Sequence, residues 1–190
     1  ADNRIRSMIR ETTLDHCRSL TKMGDSQVYM KLENLQYTGS FKLRGAMNKI
    51  LSLGQEDTKR GVVAASSGNH GAAVAYTLNK LNIHGRVYVP EDASATKIET
   101  IRDYGVEVIV EGSDCVIAEA VARQYSEMNG LTFVSPYNDP LVVAGQGTIA
   151  VELQHQLDRI DAVFVSVGGG GLIAGISGYL KKVNPDVKII

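Results

Sequence analysis

Val62-Val63-Ala64-Ala65-Ser66-Ser67-Gly68-Asn69-His70-Gly71-Ala72-Ala73-Val74-Ala75 is the stretch on which the reading of the fold turns. Its first four residues form a short apolar run, the pattern of a strand covered on both faces. A polar, glycine-bearing turn follows. From Asn69 the chain is dense in alanine, and the spacing predicts a helix that runs to Leu81. A buried strand leading through a tight turn into a helix is the opening of a βαβ unit.

The same alternation extends in both directions. Downstream, strands are expected at 86–89, 106–110, 131–134, 162–167 and 187–190, with helices at 93–104, 113–128, 140–157 and 172–182. Pro140 suits the first turn of its helix. Upstream, 28–32 reads as a strand and 40–53 as a helix, with Ser40 as its N-cap and Gly54 as its stop. Strands separated by helical stretches of about 10–15 residues predict an α/β fold of parallel twisted sheets with helices on both faces. The last strand is cut off soon after it begins, which suggests the N-terminal part of a longer protein.

Composition narrows the function. The 190 residues are 44% hydrophobic and 22% charged, and 20 basic residues nearly balance 21 acidic ones, for a net charge of −1. That balance gives no electrostatic footprint for nucleic acid or a membrane surface. No apolar run approaches the roughly 20 residues that span a bilayer, and residues 1–10 lack the apolar centre of a signal peptide. Cys17 and Cys115 lie far apart and form no CxxC, so two reduced thiols in a cytoplasmic protein are expected. No metal ligand is assigned.

Three motifs carry the chemistry. The first is Gly168-Gly169-Gly170-Gly171, which follows an apolar strand and opens a helix. Glycines let a backbone approach an anion closely, and the helix N-terminus adds partial positive charge, so a phosphate is the natural guest. A P-loop would need Gly-Lys-Ser/Thr before the helix, which is absent. A dinucleotide fingerprint can be set on Gly169, Gly171 and Ala174. It then wants an acidic residue at the end of the next strand, and Asp186 lies before that strand. The second is Ser66-Ser67-Gly68-Asn69-His70-Gly71, which could be no more than a capped turn. In a parallel sheet, however, such a loop lies at the carboxyl end of its strand, where ligands bind. The third is Thr38-Gly39-Ser40-Phe41-Lys42-Leu43-Arg44-Gly45-Ala46. A lysine near a helix start is ordinarily a solvated charge. The helix dipole disfavours it there, and the same field, with some burial, lowers its pKa toward the free amine that an imine requires.

These motifs, in this order and spacing, resemble the fold-type II pyridoxal-phosphate enzymes, above all threonine and serine dehydratases and serine racemase. Pro136-Tyr137-Asn138-Asp139-Pro140 and Ala144-Gly145-Gln146-Gly147-Thr148-Ile149 extend the likeness, which runs from about Thr13 to Ile190. The resemblance implies a two-lobed, tryptophan synthase β-like fold. Residues 60–138 would form the small domain, and 1–59 with 139–190 parts of the large one, which is expected to be truncated here. It implies pyridoxal 5′-phosphate as cofactor, joined to Lys42 as a Schiff base. Phe41 would pack on the ring, Asn69 would bond the ring hydroxyl, and Gly168, Gly169, Gly170 and Gly171 would hold the phosphate. Ser66, Ser67, Asn69 and His70 are implied at the substrate, with Ser67 as a second acid/base.

The activity so implied is a lyase reaction, elimination from threonine or serine to a 2-oxo acid and ammonia by a homo-oligomer. Serine racemisation remains open, because Ser67 is present and Ser66-Ser67-Gly68-Asn69-His70-Gly71 departs from the Ser-Ala-Gly-Asn-His-Ala common in threonine dehydratases. A truncated chain that binds cofactor without turnover also remains open, as does a nucleotide-binding module.

Overall fold

The structure is a computed structural model that describes residues 1–190. A short helix α1 (Asp2–Ile5) leads to β1 (Leu14–His16), α2 (Arg18–Thr21) and β2 (Tyr29–Lys31). A 3-10 turn (Glu33–Leu35) follows, then α3 (Lys42–Ile50) and α4 (Gln55–Arg60). Next come β3 (Val62–Ala65), α5 (Asn69–Leu81), β4 (Gly85–Val89), α6 (Ala95–Arg102), β5 (Glu107–Val110), α7 (Cys115–Met128) and β6 (Thr132–Phe133). The chain ends with α8 (Pro140–Gln146), α9 (Thr148–Gln156), β7 (Ala162–Val163), α10 (Gly171–Val183) and β8 (Lys188–Ile189).

Four strands form a parallel sheet in the order β5-β4-β3-β6. All four residues of β3 are buried, as expected of a central strand packed by helices on both sides. β7 and β8 form a separate parallel pair, whose bonding continues as Val165 N–H donates to the Ile190 carbonyl at 2.8 Å. β1 and β2 form an antiparallel pair. The largest apolar cluster joins Leu43, Met47 and Ile50 of α3 to Val62 and Ala64 of β3 and Val74 and Leu78 of α5. Each fully buried leucine contributes about 1.5–3 kcal/mol by leaving water. Through this cluster α3 packs on α5 and α8, and α5 in turn covers β3.

Several boundaries differ from the sequence expectation, each for a local reason. The helix expected at 140–157 is two helices that meet at Gly147, where a side chain would stand 2.8 Å from the Gly175 carbonyl of α10. Gly54 does not stop α3, which ends at Ile50; it caps α4, an element the sequence reading passed over. Ser40 does not occupy the cap position of α3, although its hydroxyl accepts from the Lys42 N–H at 3.3 Å. The strand expected at 162–167 pairs as a strand only over Ala162–Val163, and Phe164 beyond it is exposed. No helix is long and apolar enough to cross a membrane.

Candidate active site

Lys42 is the first residue of α3. Its Nζ donates to the carbonyl of Pro136 at 2.7 Å and stands 5.4 Å from the centre of the Phe41 ring. Burial pushes its amine below the ordinary lysine value, and no carboxylate offsets that shift. The helix N-terminus acts in the same direction. A lysine so placed reaches its neutral, nucleophilic form more readily than a surface lysine.

Pro136 belongs to the segment that leaves β6, and this segment is held from three sides. His70, in the first turn of α5, is bonded through Nε2 to the Val134 carbonyl at 2.9 Å. A carbonyl only accepts, so the proton is on Nε2. Burial holds the imidazole neutral by lowering its pKa to about 4, and its Nδ1 is buried with no partner. Lys42 bonds Pro136 from the second side. On the third, Tyr137 lies over the glycine turn. A side chain at Gly169 would clash with the Tyr137 ring, and one at Gly171 would stand 3.0 Å from the Tyr137 carbonyl.

The glycine turn, residues 168–171, connects β7 to α10. Gly170 has φ +83°, a left-handed conformation that favours glycine, and it is the N-cap of α10. Gly168 and Gly170 have open space where a Cβ would project, and Gly168 and Gly169 are exposed. The unbonded N–H groups at the start of the 13-residue α10 therefore follow a turn with open space beside it, a setting suited to an anion. Helix α8 holds the two halves together. A Cβ at Gly145 would stand 2.5 Å from the Arg44 carbonyl of α3, and Gly147 touches Gly175 of α10. Close glycine contacts thus pack the segment 140–147 against both α3, which begins with Lys42, and α10, which follows the turn. An aldehyde with an anionic tail fits this pairing of amine and cradle.

The remaining expected residues lie at the carboxyl end of β3. Ser66 and Ser67 line a cleft of about 520 Å³ with Cys115, Val116, Pro136 and Tyr137. Ser66 Oγ accepts from the Gly68 N–H at 3.1 Å. Glu119 and Arg123 also line this cleft and pair with each other at 2.7 Å. Lys42 and Asn69 are not part of its lining; Lys42 approaches it through Pro136, and Asn69 is exposed at the start of α5. A larger hollow of about 760 Å³ lies at the opposite, amino ends of the strands and contains none of these residues.

Two contributors escaped the sequence reading. The Pro136 carbonyl is backbone, and no side-chain pattern announces it. The role of Tyr137 as the cover of the glycine turn depends on a contact across 32 positions of sequence, although the glycines at 169 and 171 signal a close approach by something.

Comparison with known proteins shows the family. A family described as pyridoxal-phosphate dependent enzyme matches residues 5–190. The L-threonine ammonia-lyase of Thermotoga maritima is 44% identical over 190 residues, covering 100% of this chain and 47% of the relative. The processed form of threonine deaminase isoform 2 from Solanum lycopersicum superposes with a TM-score of 0.94 at 38% identity, over 97% of this chain and 54% of that one. Maize serine racemase gives the same TM-score of 0.94 at 34% identity, over 99% of this chain and 57% of that one. The chain spans about half the length of the curated relatives it matches.

Proposed function

Because the chain belongs to the family of pyridoxal-phosphate dependent enzymes, we propose that it acts as a lyase on threonine or serine, releasing ammonia and leaving a 2-oxo acid. The carrying observation is the half-buried Lys42 amine, bonded to Pro136 beside the Tyr137 that covers the glycine turn. Threonine ammonia-lyase and threonine deaminase among the relatives support the substrate class. When bound, the cofactor supplies an electron sink that makes the α-proton of an attached amino acid acidic.

The chain's own residues have distinct tasks in this reading. Gly168 to Gly171 would hold the phosphate at the start of α10, and Phe41 would pack on the ring. Asn69 would bond the ring hydroxyl from the start of α5. The Lys42 amine would carry the cofactor, and as a free amine would take the α-proton of the substrate. Ser66, Ser67, Asn69 and His70 receive the substrate. Of His70 only the buried Nδ1 is left without a partner, and as the unprotonated nitrogen it can only accept a hydrogen bond, since Nε2 is committed to Val134. The two lobes, 60–138 and its flanks, close over the substrate and exclude water. The working form is a homo-oligomer.

Racemisation is the second reading. It is supported by the Ser67 hydroxyl in the cleft and by the similarity to maize serine racemase. One assay separates the readings. The full chain is incubated with pyridoxal phosphate and threonine or serine, and oxo acid and enantiomers are measured together. Oxo acid is expected. D-serine without oxo acid would mean a racemase. A folded chain that binds cofactor yet yields neither product would overturn the catalytic reading.

A further inference from the structure

Arg44 lies two residues beyond Lys42 in α3, with its side chain fully buried. Its guanidinium grips two carboxylates, each by a fork. Nε and Nη2 donate to the two oxygens of Glu33, both at 2.8 Å. Nη1 and Nη2 donate to the two oxygens of Glu152 at 2.7 and 2.9 Å. Nη1 also donates to Thr148 Oγ1 at 3.1 Å. Glu152, in α9 and 1% exposed, accepts further bonds from Arg6 at 2.8 Å and Lys31 at 2.6 Å. Burial alone would raise the Glu152 pKa, but the bonds and charge of Arg44 and then Lys31 hold it at about 2.

A buried ionic network gives little net stability over an apolar core of the same shape. What a doubly forked guanidinium does give is a fixed orientation, since both planes are constrained at once. Residues two apart on a helix point about 200° apart. Arg44 therefore anchors the side of α3 that faces away from Lys42, and a turn or slide of α3 cannot move one without the other. From Glu152 the connection runs back along α9 to Gly147, which touches Gly175 of α10. That helix begins at the glycine turn.

We propose that Arg44 is a positioning residue. Its double fork to Glu33 and Glu152 sets how the Lys42 amine stands relative to the turn at 168–171, and so whether a ligand held by its phosphate presents an aldehyde to that amine. The inference rests on the reading that Lys42 carries the cofactor.

Two probes separate positioning from general support. Pyridoxal 5′-phosphate has both aldehyde and phosphate; pyridoxine 5′-phosphate has the phosphate alone. Both are titrated into the full chain, and borohydride trapping at Lys42 is followed by peptide mass spectrometry. Arg44→Lys keeps the charge and loses the fork. It should weaken pyridoxal phosphate binding about tenfold or more and lower the trapped fraction, while leaving pyridoxine phosphate binding unchanged. Glu33→Gln, at a partly exposed carboxylate, should shift the same ratio less. If Arg44→Lys does not fold, Glu33→Gln decides alone. Equal weakening of both ligands, or of neither, in folded variants overturns the positioning role. Failure to trap Lys42 in the parent chain would instead remove the cofactor-bearing lysine, and this inference with it.

Discussion

The Lys42 amine and the Pro136 carbonyl oxygen stand 2.7 Å apart, and this bond ties the start of α3 to the segment that covers the glycine turn. Lys42 thereby has a hydrogen-bond acceptor without a counter-charge. An acceptor of this kind holds the amine in place, and burial disfavours its protonated form.

The titration of Lys42 follows from that setting. Its folded pKa is lowered, so between the folded value and the ordinary value of 10.5 the unfolded chain binds more protons. Stability attributable to this group therefore rises with pH across that window and is reduced below it. Competitive acetylation across pH, read by mass spectrometry, should give a midpoint for Lys42 below 10.5. Lys42→Met should flatten the rise in stability over the same window.

Two glycines test the cradle and its support separately. Gly168 has open space at its Cβ position and no left-handed φ, so Gly168→Ala should leave stability within about 0.5 kcal/mol. It should nonetheless weaken pyridoxal phosphate, because a methyl group enters the space the anion needs. Gly145→Ala meets the backbone of Arg44 and Gly45, which cannot swing aside, and should cost about 1–3 kcal/mol. Urea unfolding and cofactor titration check the pair; the reverse pattern would mean the turn is not the cradle.

Legibility in the sequence tracked how local each cause was. The helix at 69–81 is legible with its observed bounds, because alanine density and the polar turn before it are neighbours in the chain. The strand at 62–65 was equally clear from its apolar run. The break at Gly147 was not, since it comes from Gly175 pressing on a backbone 28 residues away. Lys42 and the glycine turn stood out as motifs. Their shared location is implied only by the family resemblance, and Pro136 and Tyr137, which join them, extend that resemblance without a role of their own. Arg44 and Glu152 were silent for the same reason: a forked pair 108 positions apart leaves no periodic trace.

Acid should destabilise the fold in two stages. Burial lowers the His70 pKa from 6.5 to about 4, so the unfolded chain binds more protons between those values and stability falls as pH drops through them. The full effect of such a shift is about 3 kcal/mol. Glu152 is held at about 2 against an ordinary 4.5, and its contribution is present above 4.5 and lost as pH falls toward 2. Urea melts at pH 7, 5.5 and 4.5 should show the first stage, and His70→Gln should remove it while an amide N–H still reaches Val134.

Asp139 caps α8, accepting from the Leu141 and Val142 N–H groups at 2.7 and 3.3 Å, and pairs with Lys49 at 2.8 Å. Asp139→Ala should cost about 1 kcal/mol from the cap alone. Asp139→Asn, which keeps the capping oxygen, should recover most of that loss in thermal unfolding. An Asn variant as unstable as the Ala variant would assign the loss to the Lys49 pair instead.

Whether Lys42 carries the cofactor is decided by the visible absorption spectrum of the chain with pyridoxal phosphate, recorded for the parent and for Lys42→Ala. The parent should develop a band that the free cofactor lacks, and Lys42→Ala should not. The same band in both proteins would contradict the assignment of Lys42 as the residue that carries the cofactor.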